Sequence, residues 1–295
     1  MISTHADWSD FVVAPQWLQA HLEDAKVVVV DCRFALSDPQ QGQTQYLSSH
    51  IPGAYYLDLQ QDLSAPVQTH GGRHPLPDPQ PLAIKLAQMG INSDTLVVGY
   101  DDSQFAFAAR LWWLLRYFGH QWVAVLDGGF AAYQGAGYTV TSVVPEPRPG
   151  IFTAVPQVDQ VVDIQAVQTR KTQTGTVLVD SRDQERYLGN HDPIDPVAGH
   201  IPGAVNYPWQ AVTNAQGHIL SQPELQAHYA DLVPASEIMV YCGSGVTACV
   251  NLLGFAIAGI QGGKLYAGSW SDWCSYPLDR NMEAQIQFPS GRGLA

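Results

Sequence analysis

The sequence predicts an α/β protein built from one module used twice, each copy a mainly parallel sheet flanked by helices. Apolar runs of strand length alternate with runs of helical spacing along the 295 residues, as a parallel sheet with crossover helices requires. A pair of motifs also recurs. Val27-Val28-Val29-Val30-Asp31-Cys32-Arg33 precedes His50-Ile51-Pro52-Gly53-Ala54, and Val177-Leu178-Val179-Asp180-Ser181-Arg182 precedes His200-Ile201-Pro202-Gly203-Ala204. The Asp-to-His spacing is 19 in the first copy and 20 in the second, too close a match for chance. The register then continues. Val97-Val98-Gly99-Tyr100-Asp101 lines up with Ile238-Met239-Val240-Tyr241-Cys242, and Asp127-Gly128-Gly129-Phe130 with Ala267-Gly268-Ser269-Trp270.

The first copy is expected over residues 1–140, with helices over 80–88 and 105–118. Residues 141–157 carry Pro145, Pro147, Pro149 and Pro156, which predicts a stiff, extended linker that packs poorly. The second copy follows over 158–295, with helices over 159–169, 224–229 and 246–257. In sheets of this kind ligands sit beyond the carboxyl ends of the strands, so the loops there are where chemistry is sought. The repeated Arg33 and Arg182 occur beside both kinds of loop, which favours a structural role, and the repeated His-Ile-Pro-Gly reads as turn geometry.

A formal net charge of −13 argues against nucleic acid or an acidic membrane surface as partner. Any anionic ligand must be won by local donors against that field. No apolar stretch reaches membrane-spanning length, and Met1 to Val13 carry acids and a tryptophan rather than a basic segment and an apolar run. Cys32, Cys242, Cys249 and Cys274 form no CxxC pair, so neither a zinc site nor any other metal or organic cofactor is expected. A reduced, cytoplasmic protein is the simplest compartment.

One of these cysteines is set apart by its surroundings. Tyr241-Cys242-Gly243-Ser244-Gly245-Val246-Thr247 joins a strand to a helix, and the two glycines let the backbone wrap round a neighbouring group. Amides of such a turn, with the unpaired N–H groups of the following helix, converge on one spot and favour negative charge there. A thiol held in that ring should ionise more readily than free cysteine, with its pKa of about 8.5, and an anionic product on the sulfur would be held by the same donors. The first copy carries Asp101 at this position, so only the second copy can be catalytic through the loop.

The tandem Asp-x-Arg and His-Ile-Pro-Gly-Ala motifs, the single cysteine loop in the second copy and Gly268-Ser269-Trp270-Ser271-Asp272-Trp273 resemble the two-domain rhodanese family of sulfurtransferases. The resemblance runs from about Val12 to Pro277. Its most specific part, Cys242-Gly243-Ser244-Gly245-Val246-Thr247, is similar to the loop of the 3-mercaptopyruvate branch; the thiosulfate branch has Arg and Lys where Gly243 and Ser244 stand. The resemblance implies that thiolate Cys242 takes sulfur from a small anionic donor, 3-mercaptopyruvate in the first place and thiosulfate otherwise. The resulting persulfide then passes its sulfur to cyanide or a thiol, such as a thioredoxin-like protein or a small thiol.

The same resemblance suggests that Asp58 and Ser244 act together, that His74 lies in the cleft, that Arg186 grips the donor's acidic group, and that Gly243, Gly245, Val246 and Thr247 shape the sulfur site. The competing roles are a turn cap for Asp58, a loop position in solvent for His74, a surface ion pair with Asp183 or Glu185 for Arg186, and a helix N-cap for Thr247. One departure stands out: nine residues beyond Arg186, where the mercaptopyruvate branch has a second arginine, this chain has Asp195.

A phosphatase of the cysteine-x5-arginine type is excluded, because Ala248 stands where its arginine is needed. A cysteine hydrolase needs a histidine partner, for which His74, His200 and His218 are available, but the glycine-rich loop fits a held sulfur anion better. The reading from another class is a non-catalytic sulfur carrier or binding module.

Overall fold

The computed structural model describes residues 11–277. The outer ends of the two expected copies, residues 1–10 and 278–295, lie outside the described residues. Two five-stranded sheets are present, and every pairing within them is parallel. The first contains β1 (Val12–Val13), β2 (Val27–Asp31), β3 (Tyr55–Tyr56), β4 (Leu96–Tyr100) and β5 (Val123–Leu126), in the order β1-β5-β4-β2-β3. The second contains β6 (Val161–Val162), β7 (Thr176–Asp180), β8 (Val205–Asn206), β9 (Glu237–Tyr241) and β10 (Gly263–Tyr266), in the order β6-β10-β9-β7-β8. The two topologies are the same, as the repeated motifs predict. β2 and β4 are buried along their whole length, which is why they read as unbroken apolar runs rather than as alternating ones.

The first sheet is flanked by α1 (Pro15–His21), α2 (Gln41–Ser48), α3 (Pro79–Gln88), α4 (Ala108–Tyr117) and α5 (Gly129–Gly135). The second has α6 (Ile164–Arg170), α7 (Gln184–Leu188), α8 (Gln222–His228), α9 (Ala248–Ala258) and α10 (Ser269–Trp273). Three of the five expected helices start later than the pattern predicts. The segment 159–169 opens as a single 3-10 turn and a short strand before Asp163 caps α6 through the N–H of Ala166. α4 begins at Ala108 rather than 105 because the amides before it turn inward on Asp101, as described below. α9 begins at Ala248 rather than 246, because the preceding residues belong to the cysteine loop. α8 runs two residues ahead of the expected start and is opened by a capping box between Ser221 and Glu224.

The halves share one core. A single apolar cluster runs from Val28, Val30 and Val125 through Leu111, Trp112 and Leu115 of α4 to Val250, Leu253 and Phe255 of α9 and on to Val240 and Leu265. α4 and α9 are buried round most of their circumference, as helices lodged between two sheets must be. Residues 141–157 form no helix or named strand and pack more closely than a free linker. Thr141 pairs with His50, the N–H of Arg148 donates to Gln88 O, and those of Val155 and Gln157 donate to Phe118 O and Tyr117 O. A β-carbon on Gly150 would lie 2.7 Å from the backbone of Gly90, so the strap is seated against the first half.

Arg33 and Arg182 fulfil the structural role expected of them. Each forks onto the aspartate two residues earlier, Asp31 or Asp180, and donates to a loop carbonyl, Ser49 O or Gly199 O. His50 and His200 likewise serve turns, each ring nitrogen Nδ1 meeting a backbone carbonyl, Tyr46 O or Tyr187 O.

Candidate active site

Cys242 follows the last residue of β9, at the carboxyl end of the second sheet, and is 2% exposed. Its own backbone is pinned from below. The Cys242 N–H donates to Ser269 Oγ at 3.1 Å, and the N–H groups of Trp270 and Ser271 donate to the carbonyls of Cys242 and Gly243. Gly245 closes the loop with φ of +76°, and a β-carbon there would stand 2.3 Å from Ala267 O. Thr247 occupies the N-cap position of α9, but its hydroxyl makes no capping bond; it lines the cavity over Cys242 instead. The N–H groups of residues 243–248 donate to no protein acceptor among the described residues. A loop of this shape can therefore hold a negative sulfur.

The first half carries a filled version of the same cradle. Asp101, at the end of β4, is buried, and its carboxylate accepts the N–H groups of Ser103, Phe105, Phe107 and Ala108 at 2.8 to 3.1 Å. Burial pushes its pKa up and the four amides oppose that shift.

Above Cys242 lies a cavity of about 480 Å³ with walls from both halves. Phe34, Leu36, Arg73, His74 and Phe107 come from the first, and Arg186, Ile194, Trp209 and the loop 242–247 from the second. The structure brings together Cys242, Gly243, Ser244, Val246, Thr247, Arg186 and His74 of the residues expected from the sequence. His74 is buried rather than in solvent, and its Nδ1 lies 2.8 Å from Ser244 Oγ. Burial, with the charges of Arg110 and Arg73 beside it, pushes the imidazole pKa down to about 3, so the ring is neutral.

Asp58 is not joined to this pair. Its carboxylate accepts the N–H groups of Gln60 and Gln61 and the Tyr56 hydroxyl, which is the geometry of a turn cap. Arg186 makes neither of the surface side-chain pairs considered for it. Only its backbone N–H meets Asp183, while its guanidinium reaches Asp192 at 3.2 Å and Asp195 at 2.7 Å and faces the cysteine loop. Gly243 is a glycine for a visible reason: a β-carbon there would meet Arg73 Nη2 at 3.1 Å and Arg186 Nη2 at 3.2 Å.

Three site residues escape the sequence reading. Arg73 sits beside His74 in the sequence but shows its use only through Asp195, 122 positions away. Ser269 holds the Cys242 amide with φ of +57°. Arg110 is fully buried in α4; it donates to Gly245 O at 3.0 Å and to the carbonyls of Leu63 and His74, tying the cysteine loop to the histidine segment. Its one available signal is a charge inside the otherwise apolar run Ala108 to Leu115. Cys249 packs below the loop with Sγ 3.5 Å from Gly245 O, and burial pushes its pKa up to about 12. No group of three or more potential metal ligands is found among the described residues.

Comparison with known proteins agrees with this architecture. The rhodanese-like domain model matches the chain twice, over residues 14–136 and 163–276. A probable 3-mercaptopyruvate sulfurtransferase of Pseudomonas aeruginosa is 45% identical over 271 residues, covering 90% of this chain and 95% of its own. A putative thiosulfate sulfurtransferase, SseB of Mycobacterium tuberculosis, is 37% identical over 91% of this chain and 92% of its own. The crystal structure of SseA from Escherichia coli superimposes with a TM-score of 0.77 at 33% identity, covering 89% of this chain and 99% of that one.

Proposed function

The chain belongs to the rhodanese family and is a sulfurtransferase, and from that premise we propose that it moves sulfur from 3-mercaptopyruvate through a Cys242 persulfide to a thiol. The observation that carries this reading is the grouping of Cys242, the Ser244–His74 pair and Arg186 around one cavity. The Cys242 thiolate attacks the donor's sulfur, an S–S bond forms, and the carbon–sulfur bond breaks with its electron pair on carbon. The enolate so formed takes a proton to become pyruvate. Ser244, hydrogen-bonded to a neutral imidazole, supports that proton transfer, and Arg186 holds the donor's carboxylate. We assign Asp58 to the turn it caps. An acceptor thiol then attacks the outer sulfur and restores the Cys242 thiolate; cyanide would do the same.

The relatives use small sulfur donors and acceptors, and we extend this to a thioredoxin-like protein or a small thiol as acceptor. Among the described residues no helix is long and apolar enough to cross a membrane. All four cysteines are free, which supports a reducing, cytoplasmic setting. Thiosulfate is the second donor to weigh, because Asp195 stands beside Arg186.

The test is kcat/KM for 3-mercaptopyruvate and thiosulfate side by side, with a mass spectrum of the protein after each donor. The expected result is a gain of about one sulfur atom on Cys242 and a preference for mercaptopyruvate. A preference for thiosulfate would reassign the donor. No sulfur on the protein from either donor would return the binding-module reading.

Ser244→Ala is expected to lower kcat with mercaptopyruvate by about 10²-fold and to affect thiosulfate less, because sulfite leaves without needing a proton. His74 takes up its second ring proton only below about pH 3, so its protonation cannot switch activity near neutrality; the sign is a loss only in strong acid. A break in the kcat/KM profile near pH 6.5 that His74→Asn removes would contradict this assignment.

A further inference from the structure

The arginines that line the cavity are all held by acids. Arg73 meets Asp195, Arg182 meets Asp180 and Asp192, and Arg186 meets Asp192 and Asp195. Arg110, in the wall of α4 behind the cysteine loop, is different. Its side chain is 0% exposed and meets no carboxylate among the described residues. Nη1 donates to Gly245 O at 3.0 Å and Nη2 to His74 O at 3.1 Å and Leu63 O at 3.3 Å, while the buried Nε has no partner. Carbonyl dipoles satisfy N–H groups without cancelling a full charge. A buried cation left in that condition is costly unless an anion faces it.

The titratable groups that interact with Arg110 narrow the choice of anion. His74 is neutral, and the Arg110 charge is one of the causes that keep it so. Cys249, which hydrogen-bonds to the guanidinium, has its pKa pushed up to about 12 by burial and stays a thiol near neutrality. Cys242 is the remaining group, and its sulfur is anionic in the proposed cycle, first as thiolate and then as persulfide. The duplication sharpens the point. Arg110 is the third residue of α4, whereas the third residue of α9 is buried Val250, so the helix facing the Asp101 loop brings that loop no matching cation.

We propose that Arg110 is a positioning residue for the nucleophile: anchored on Gly245 O, its unbalanced guanidinium gives the cysteine loop the positive charge that holds the Cys242 sulfur in its anionic, reactive form. A guanidinium suits this place because it keeps its proton where a buried ammonium would lose it. The inference deepens the sulfur-transfer reading and rests on it.

The test is Arg110→Met, which keeps much of the bulk and removes the charge. Near neutral pH, alkylation of Cys242, followed by mass, is expected to slow about tenfold with neutral iodoacetamide and about thirtyfold with anionic iodoacetate, which also feels the lost charge directly. kcat/KM should fall about tenfold or more with both donors, and the losses should persist in high salt, because a buried charge is little screened. Alkylation at the wild-type rate with a lowered kcat/KM would mean that Arg110 only ties the histidine segment to the loop, and would overturn the proposal. So would iodoacetate slowed no more than iodoacetamide, the sign of a displaced loop rather than a lost charge, or a variant that matches wild type throughout. If the Met variant is insoluble, Arg110→Gln keeps an amide donor without the charge and carries the same expectations. Wild-type protein that takes sulfur from neither donor would sink the sulfur-transfer reading alone, because alkylation needs no donor and still tests Arg110.

Discussion

Cys242→Ser is expected to lower sulfur transfer by about 10⁴-fold or more while leaving the fold intact. An oxygen replaces a sulfur in a side chain that is 2% exposed, and the backbone bonds that pin the position, to Ser269 Oγ and from Trp270 and Ser271, do not involve it. The hydroxyl, though, ionises far too weakly to attack a donor's sulfur and cannot store one. The check is kcat/KM with either donor, the mass of the donor-treated protein and the melting temperature. Retained turnover would move the chemistry to another thiol. The three available are poorly suited: burial pushes the pKa of Cys249 and Cys274 up to about 12 and that of Cys32 well above its ordinary value.

Gly245→Ala is expected to cost about 10² to 10³-fold in kcat, with only a modest loss of stability. The residue sits at φ +76°, where a β-carbon is strained, and that carbon would approach Ala267 O to 2.3 Å and the Ala267 carbonyl carbon to 3.0 Å. Both obstacles are backbone and cannot swing aside. Ala267 begins the segment whose Ser269 and Trp270 hold Cys242, so relief of the clash moves the nucleophile relative to Ser244 and Arg186. A displacement of about 1 Å suffices for a loss of that size. Gly259→Ala is the control. It has φ of +80° but nothing within 4 Å of the added carbon, so it should cost about 1 kcal/mol in stability and nothing in activity. Equal effects of the two substitutions on kcat would show that backbone strain, rather than loop position, decides the outcome.

The tandem fold is legible in the sequence because duplication prints the same motif twice. The two sheets have the same strand order, as a repeat of the Asp-x-Arg and His-Ile-Pro-Gly-Ala segments implies. The cysteine loop is legible for a different reason: Gly243 and Gly245 each leave room that a β-carbon would fill, against guanidinium nitrogens in one case and a carbonyl in the other. What could not be read is whatever depends on side chains meeting across the halves. Arg73 finds Asp195, His74 finds Ser244 and Arg110 finds Gly245 O over separations of 122, 170 and 135 residues, with no local periodicity to announce them. The start of α4 departs from the pattern because a side chain outcompetes the helix for amides. Propensity admits Phe105 and Phe107 to α4, but their N–H groups are taken by Asp101.

That carboxylate has a consequence for how the two copies can diverge. In the first half the amide ring holds a carboxylate permanently, whereas in the second, on the proposed mechanism, it faces a sulfur that gains and loses an outer atom with each turnover. A permanent tenant lets the surrounding backbone settle into shapes that a guest would not require: Gln104 and Phe105 stand at φ of +55° and +69°, and α4 starts one residue later after Asp101 than α9 does after Cys242. The idle copy is thus more than a version of the working one with a single letter changed. Returning a thiol to position 101 would restore the atom but not the empty seat around it, so the division of labour between the halves is hard to reverse one substitution at a time.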